Sequence, residues 1–222
     1  MKPFAILVAI LFSSLLSLGQ VTSFSIDPAK LDKQLADRLD SIYNIDQSTR
    51  MAYFNAKQRN ESAAVIDSLY RHMHNADKDN LLKVNVIIKQ YGWLGPQKVG
   101  ITGSQGLFLV IQHADLKTQE YYLPMIRAAE KNGEILSSNL AILEDRICMR
   151  NGKKQVYGSQ GFTDKETGKK YIYPIIDIDN LDERRKAMGM PPMHEYVAGW
   201  NAEDYKKDLS KIEGIVKQQK IE

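Results

Sequence analysis

The sequence predicts a mainly α-helical domain of the α+β class, in which several helices accompany one β-hairpin near residues 154–176. Apolar residues recur every three to four positions in most segments up to residue 150, which is the spacing of one face of a helix. Residues that favour strands cluster downstream, on both sides of a polar turn. Of the 222 residues, 43% are hydrophobic and 26% are charged, so collagen-like, disordered and multi-span membrane classes are excluded.

The first nineteen residues have the features of a secretory signal peptide. Lys2 precedes an apolar run from Phe4 to Leu18, and small residues lead up to Gly19. Cleavage is expected after Gly19 or, alternatively, after Ser23. A membrane anchor is disfavoured because a span needs about 20 apolar residues. We therefore expect a secreted or periplasmic protein with no stable membrane anchor after signal removal, whose residues 20–222 form a single mainly helical domain.

Four helices are predicted in the first half of the chain, from capping residues followed by apolar residues at helical spacing. Asp27 before Pro28 is a clear start, because proline at the first helical position lacks only an N–H that the helix would leave unpaired. The predicted helices run from Asp27 to Asn44, from Asp46 to Phe54, from Ser62 to His72 and from Asp79 to Tyr91.

The central part of the chain is also predicted to be helical. Residues 92–100 contain three glycines and a proline and are expected to form a turn-rich connection. The segment from Ser104 to His113 holds an apolar run that fits a buried strand or a buried helix, and its helical neighbours favour the helix. Asp115 is expected to cap the next helix, which Pro124 interrupts and Asn132-Gly133 ends.

The last predicted elements combine three helices with the hairpin. A helix from Ser137 or Ser138 to about Arg150 is favoured by its apolar spacing, although Asn151-Gly152 is also a good hairpin turn. Two strand-like segments then flank a polar turn. In order, the elements are the helix 137–150, the strands 154–162 and 170–176, a short helix capped by Asn180 and a charged surface helix over 201–220.

Charge and cysteine content exclude several functional classes. The formal net charge of +3 is too small to indicate nucleic-acid binding. The single cysteine, Cys148, excludes a disulfide framework and a multi-cysteine zinc site, and it is expected to be a small buried apolar residue. His72 and His74 lie on diverging helix faces and make a poor metal pair, so neither a metal nor another cofactor is expected.

The stretch from Asp46 to Arg50 is a candidate for ligand binding. Arg50 follows Asp46 by one helical turn, so the two side chains are expected to form an ordinary ion pair. The alternative is that Gln47 and Arg50 project into a pocket, where the guanidinium of Arg50 would clamp an anion with two hydrogen bonds. The residues leave both interpretations open.

His113 is the main catalytic candidate in the sequence. Gln112 and His113 end an apolar run, a position from which side chains reach the rim of a cavity, and histidine titrates near neutral pH. Asp115 would orient the imidazole as a general base, or it would simply cap the next helix while the helix dipole favours His113. Asp145 is the other carboxylate that would orient His113.

Asp145 and Arg146 are adjacent in a predicted helix, so their side chains point about 100° apart and do not face each other. Each needs its own partner if it is buried, because an unpaired buried charge is costly. The alternative to a functional role is an ion pair with Arg50 or His113 on another helix.

One predicted strand carries polar side chains on both faces. Gln155, Tyr157 and Ser159 would share one face, and Gln160 would lie on the other. Amide and phenol groups beside a glycine are suited to hydrogen bonding with a polar ligand rather than to bond breaking. Arg184, on the following helix, would add positive potential near an anionic ligand.

A series of short motifs runs through the chain. In order, they are Asp46-Gln47-x-x-Arg50, Asp77-x-x-Asn80, Tyr91-Gly92-Trp93, Gln112-His113-Ala114-Asp115, Asp145-Arg146, Gly152-x-x-Gln155-x-Tyr157-Gly158-Ser159-Gln160, Pro174-x-x-Asp177 and Asp182-x-Arg184-Arg185. Over about residues 40–195, this ordered set resembles a bacterial family known only as a domain of unknown function. Two departures are small: Leu94 stands where the family has proline, and Ser159 where it has threonine. The resemblance implies no activity, but it implies that these residues, Trp93 included, converge on one site.

Two classes of function remain open. The first is a non-catalytic module that binds a polar small molecule or a component of the cell envelope. The alternative is a hydrolase with His113 as the general base and Asp115 or Asp145 as its orienting carboxylate. In that reaction Arg50 or Arg146 would stabilise the developing negative charge. The sequence specifies neither the ligand nor the oligomeric state.

Overall fold

Eight α-helices and one short antiparallel hairpin build residues 20–221, the part of the chain that the structure, a computed structural model, describes. The mainly α-helical class with one hairpin is thereby confirmed, while the predicted signal peptide, residues 1–19, lies outside the described residues. The elements are α1 (Lys33–Gln58), α2 (Ala63–Tyr91), α3 (Pro96–His113), α4 (Leu116–Lys131), α5 (Ser137–Arg150), β1 (Gly161–Thr163), β2 (Lys170–Ile172), α6 (Leu181–Ala187), α7 (Met193–Tyr196) and α8 (Ala202–Gln219), with 3₁₀ turns at Pro28–Lys30 and Ile178–Asn180.

Helices α1 and α2 are each continuous, although the sequence predicted two shorter helices in each place. The predicted cap Asp46 lies inside α1, because its buried carboxylate bonds to other side chains instead of a backbone N–H. The predicted cap Asp79 lies inside α2. Asp32 caps α1 by accepting a hydrogen bond from the N–H of Leu35 (3.1 Å), and Ser62 caps α2 as predicted.

Helices α1 and α3 pack closely and run in the same direction. The N–H of Asp32, before α1, donates to the carbonyl of Lys98 near the start of α3 (2.8 Å). Further along, a Cβ atom on Gly106 would lie 2.8 Å from the carbonyl oxygen of Leu39, so glycine is required at this crossing. Helix α2 returns antiparallel to α1. The parallel packing of α1 against α3 therefore places the second half of α1 beside the C-terminal end of α3.

Helices α3, α4 and α5 follow the predictions with two corrections. Helix α3 begins at Pro96 rather than at Ser104, and Gly100 kinks it with a left-handed backbone (φ 74°). Pro124 does not interrupt α4, which continues through it to Lys131. Helix α5 spans Ser137–Arg150, as the apolar spacing predicted.

The hairpin is shorter than predicted, because residues 155–160 form a loop instead of a strand. Strands β1 and β2 pair antiparallel over only three residues each. Before them, the side chain of Gln155 replaces ladder hydrogen bonds: its Nε2 donates to the carbonyls of Gln160 (2.9 Å) and Tyr173 (2.7 Å), and its Oε1 accepts from the N–H of Gln160 (2.8 Å). Because the side chain of Gln155 bonds to both the carbonyl and the N–H of Gln160, these backbone groups are not available to a neighbouring strand.

Two clusters of buried apolar residues hold the elements together. The larger one joins α1 to α5 and runs from Leu35 to Ile147. The smaller one joins β2, α6, α7 and α8. Helix α8 was predicted to be a surface helix, but it buries Tyr205 and Ile212 in the smaller cluster. The loop 155–160 lies between the two clusters in sequence and connects α5 to the hairpin.

Candidate functional site

A buried aspartate and a histidine meet where α1 and α3 run side by side. Nδ1 of His113, the last residue of α3, lies 2.9 Å from Oδ1 of Asp46, whose side chain is only 1% exposed. Gln47 donates from Nε2 to the other carboxylate oxygen of Asp46 (2.7 Å). Burial raises the pKa of Asp46, but the hydrogen bond and charge of His113 and the charge of Arg50 outweigh it, and the net pKa lies below its usual range.

Arg50 joins this pair to helix α2. Its Nη2 lies 2.5 Å from Oδ1 of Asp77 and 3.4 Å from Oδ1 of Asp46, so the expected ion pair within α1 exists and a second carboxylate shares the guanidinium. Nη1 contacts the sulfur of Met73 (3.6 Å), and His74 approaches Asp77 to 3.7 Å. Arg50 therefore has carboxylate partners on two helices.

The charge of Arg146, on α5, has no direct partner within residues 20–221. No carboxylate lies within ion-pair distance of its guanidinium, and its buried Nε has no hydrogen-bond acceptor. Burial, followed by the positive charges of Arg150 and Arg50, lowers the pKa of Arg146 to about 10. The side chain stays protonated at neutral pH, so a largely buried positive charge faces two other cations.

Asp145, the neighbour of Arg146, lies in a different environment. It is fully buried and accepts three backbone hydrogen bonds, from the N–H groups of Val156 (2.7 Å), Tyr157 (2.9 Å) and Ser159 (2.9 Å). We call residues 155–160 the Asp145 loop. The 100° divergence of adjacent helix positions explains the split, because Asp145 faces this loop while Arg146 points about 100° away from it, within range of the charge of Arg50 on α1.

Two arginines of α6 complete the binding of the Asp145 loop. Arg184 donates from Nε to the carbonyl of Val156 (3.0 Å), and Arg185 donates from Nη1 to the carbonyl of Tyr157 (2.6 Å). The phenol of Tyr157 is directed at Glu144, and burial with the charges of Glu144 and Asp145 raises its pKa to about 12. Tyr157 is thus a hydrogen-bond donor and remains neutral at physiological pH.

The carboxylate that orients His113 is Asp46, and not Asp115 or Asp145 as the sequence suggested. Asp115 is exposed and caps α4 through the N–H of Thr118 (2.8 Å), and these hydrogen bonds lower its pKa. The sequence contained a signal for Asp46 that was read as a cap: Asp46 continues the buried stripe of α1 that includes Leu39 and Ile42. A carboxylate in an apolar stripe needs a tertiary partner.

Apart from Trp93, the remaining predicted site residues divide between two groups. Gln112 is buried beside His113, and its carbonyl accepts from Nε2 of Gln119 (2.6 Å). Trp93 lies before α3, at the opposite end of that helix from His113, and packs against the larger cluster. One group gathers around Asp46, and the other forms the Asp145 loop. In the first group Gln47, Arg50 and His113 contact Asp46, Gln112 precedes His113, and Arg146 lies within range of the charge of Arg50. The second group comprises Asp145, Gln155, Tyr157, Gln160 and Arg184.

Two features are absent from residues 20–221. No group of three or more His, Cys, Asp or Glu side chains in this range is arranged to hold a metal ion. None of the helices in the same range combines the length and the apolar character that crossing a membrane requires.

A model of a known protein family matches most of the chain. The family model described as a family of unknown function, DUF6624, matches residues 33–206, which confirms the resemblance to an uncharacterised family that the ordered motifs indicated. The match begins at the first residue of α1 and ends within α8, so it contains both groups of polar residues. No curated protein and no solved structure matches the chain.

Proposed function

We propose that this chain, which belongs to the DUF6624 family of unknown function, is a non-catalytic module that binds an anionic ligand at Arg146. The observation that carries the proposal is the largely buried guanidinium of Arg146, for which the described residues provide no carboxylate. A buried cation without a partner costs folding free energy, and a ligand that supplies the missing negative charge recovers it.

The surrounding charges support an anion rather than a neutral ligand. Asp46 is occupied by His113 and Arg50, and Asp77 by Arg50 and His74, so neither carboxylate is available to Arg146. The guanidinium of Arg146 presents several N–H donors in one plane, which fits a phosphate or a carboxylate with two hydrogen bonds. The charge of Arg50 adds to the positive potential at the same place.

Isothermal titration calorimetry with inorganic phosphate at constant ionic strength tests this proposal. We expect phosphate to bind the wild-type protein and to raise its unfolding temperature, because it binds only the folded state. Arg146→Gln should abolish binding, and an uncharged sugar should not bind at all. The exposed Arg38 on α1 offers the matched control, because Arg38→Gln removes the same charge elsewhere. Equal phosphate affinity in Arg146→Gln and the wild type would refute the proposal.

A second candidate function is hydrolysis, and the Asp46–His113 hydrogen bond favours it. With Nδ1 donating to Asp46, Nε2 of His113 carries the lone pair, and the described residues give it no hydrogen-bond partner. Such an imidazole accepts a proton from water, and Arg146 would stabilise the charge that develops on the substrate. Asp46→Asn and His113→Ala should then both abolish turnover of a chromogenic phosphate ester. If both variants still bind phosphate and the wild type does not hydrolyse the ester, hydrolysis is refuted and the non-catalytic binding module is supported.

The proposal also places the module outside the cytoplasm, secreted or periplasmic, on the strength of the signal-peptide features of residues 1–19. The ligand is then a polar small molecule or a component of the cell envelope. Mass spectrometry of the protein recovered from its native host should find a first residue of Gln20 or Phe24. An intact Met1 in that sample would contradict export by cleavage.

A further inference from the structure

A cavity of about 790 Å³ lies between the C-terminal ends of α5 and α8, and positively charged side chains dominate its charged lining. We call it the basic cleft. Its charged residues are Arg150, Lys154, Lys217, Lys220 and Glu213. Four cations therefore face one carboxylate in a space large enough for several atoms of a ligand chain.

Helix α5 carries both Arg146 and a residue that lines the basic cleft, Arg150. Arg150 follows Arg146 by four positions, which places it on the same face of the helix and about 6 Å further along the axis. Its positive charge acts on Arg146, and its own side chain lines the cleft. Lys154 follows Arg150 by another four positions and lines the cleft as well. Arg146, Arg150 and Lys154 thus follow one another at intervals of four positions along the end of α5 and just beyond it, and the last two line the cleft.

Two of the four cations in the lining have an acidic group acting on them within residues 20–221: Glu213 pairs with Lys154, and the charge of Asp115 acts on Arg150. Lys154 lies 2.7 Å from Glu213, which is the one acidic side chain of the lining. Lys217 and Lys220 have no carboxylate partner in the described range, and Arg150 donates from Nη1 to the carbonyl of Ala114 (2.6 Å). Helix dipoles favour cations in the last turn of α5 and α8. They do not account for Lys154, which lies beyond α5, or for Arg146, one turn inside it.

We propose that the ligand is a chain of repeated phosphate groups, with one group at Arg146 and the following groups in the basic cleft. This inference rests on the proposed anion site and names the class of its ligand. Arginine holds a phosphate with a planar fork and lysine holds it as a point charge, so a row that mixes both is suited to successive phosphates. A single small anion would leave the cleft unused.

Calorimetric titration with orthophosphate, pyrophosphate and tripolyphosphate at constant ionic strength tests the inference. We expect the affinity of the wild-type protein to rise about tenfold or more from orthophosphate to tripolyphosphate, because the second contact forms within the complex. Lys217→Gln should remove most of that rise. Lys131→Gln is the matched control, since Lys131 ends α4 beside the start of α5, at the opposite end from Arg150. It should leave the rise intact.

The outcomes separate the two proposals. Equal affinity for orthophosphate and tripolyphosphate would overturn the chain ligand while leaving the anion site standing. An equal loss in Lys217→Gln and Lys131→Gln would also overturn it, because it would show attraction to overall charge. If tripolyphosphate binds and Arg146→Gln has no effect on any phosphate, the anion site itself is refuted. Melting temperatures of all variants establish that they are folded, as expected for the exposed Lys131 and Lys217, and they report directly on the largely buried Arg146.

Discussion

Asp145 and Arg146 are neighbours in sequence, yet they lie in two regions that differ in how completely their polar groups are paired. Asp145 accepts three backbone N–H groups, and the arginines of α6 bond to carbonyls of the same loop. Arg146 has no acceptor for its buried Nε among the described residues. The side chains around the Asp145 loop are held by hydrogen bonds to its backbone, although Nη2 of Arg185 has no partner. Arg146 makes no such hydrogen bond to the described residues, so we infer that its charge is available to a ligand.

Residues 155–160, which the sequence predicts to be a ligand-binding strand, use their glutamines mainly to hold the fold. Gln155 and Gln160 bond to each other and to the backbone, and they are buried. Both side-chain N–H donors of Gln155 are used within the protein, and Nε2 of Gln160 donates to the hydroxyl of Ser159 (2.9 Å). The polar residues that remain available are those with fewer partners, at the ends of α3 and α5.

The largest expected effect comes from Asp145. Asp145→Ala leaves three N–H groups of the Asp145 loop without an acceptor and should lower the free energy of unfolding by about 4 kcal/mol. Urea denaturation of the variant and the wild type measures the difference. A loss below about 1 kcal/mol would mean that water replaces the carboxylate easily, and the two regions would then differ less than their hydrogen bonds suggest.

Asp46 should show an intermediate effect that depends on pH. Asp46→Asn removes the charge that holds His113 and Arg50 and should cost about 2 kcal/mol at pH 7. Because the folded-state pKa of Asp46 is lowered, its stabilising contribution is present above the pKa of an unfolded aspartate, about 3.9. It is lost as the pH falls through the lower folded-state pKa.

Urea denaturation of the Asp46→Asn variant and the wild type between pH 7 and pH 2.5 checks the sign. The difference in stability should stay constant down to about pH 4 and shrink below it. A difference that grows on acidification would contradict the lowered pKa and the ion pair with Arg50. Glu61, exposed at the end of α1, supplies the control, and Glu61→Gln should give no such profile.

The smallest expected effect is a gain. Arg146→Met removes a buried, unpaired cation and keeps an apolar stem of similar length, so it should raise the free energy of unfolding by about 1 kcal/mol. Thermal unfolding without added anions measures the gain, and Arg38→Met on the exposed face of α1 should change stability little. A clear loss of stability in Arg146→Met would place Arg146 among the residues that hold the fold together.

The fold class could be predicted because periodicity and caps are local signals. Asp115 before α4 and the apolar spacing of α5 fix their elements within a few residues of sequence. The sequence predicts two helices in place of α1, because a buried aspartate such as Asp46 cannot be distinguished from a capping aspartate by residue type. The strand predicted at Gln155 is absent for a related reason. The side chain of Gln155 makes hydrogen bonds that a neighbouring strand would otherwise make, and the alternation of polar and apolar residues does not reveal this.

The candidate site could be predicted in composition but not in pairing. His113 is predicted from its place at the end of an apolar run, and Arg50 and Arg146 from their positions in helices relative to Asp46 and Asp145, all of which are properties of their own segments. That Asp46 faces His113 depends on the parallel packing of α1 and α3, and the two residues are 67 positions apart. Asp145 contacts the loop 155–160 and Arg146 lacks a charged partner, and both facts also depend on tertiary structure.

The parallel pairing of α1 with α3 has a consequence for the order in which the chain folds. In an up-and-down bundle, helices that are adjacent in sequence pair through short loops. Here the 29 residues of α2 and the turns on either side of it must be traversed before α1 meets α3. Closing so long a segment costs entropy before any contact repays it, so we expect the α1–α3 contact to form late in refolding. The Asp46–His113 pair would then report the completion of folding, and a fluorophore near it would follow the final step directly.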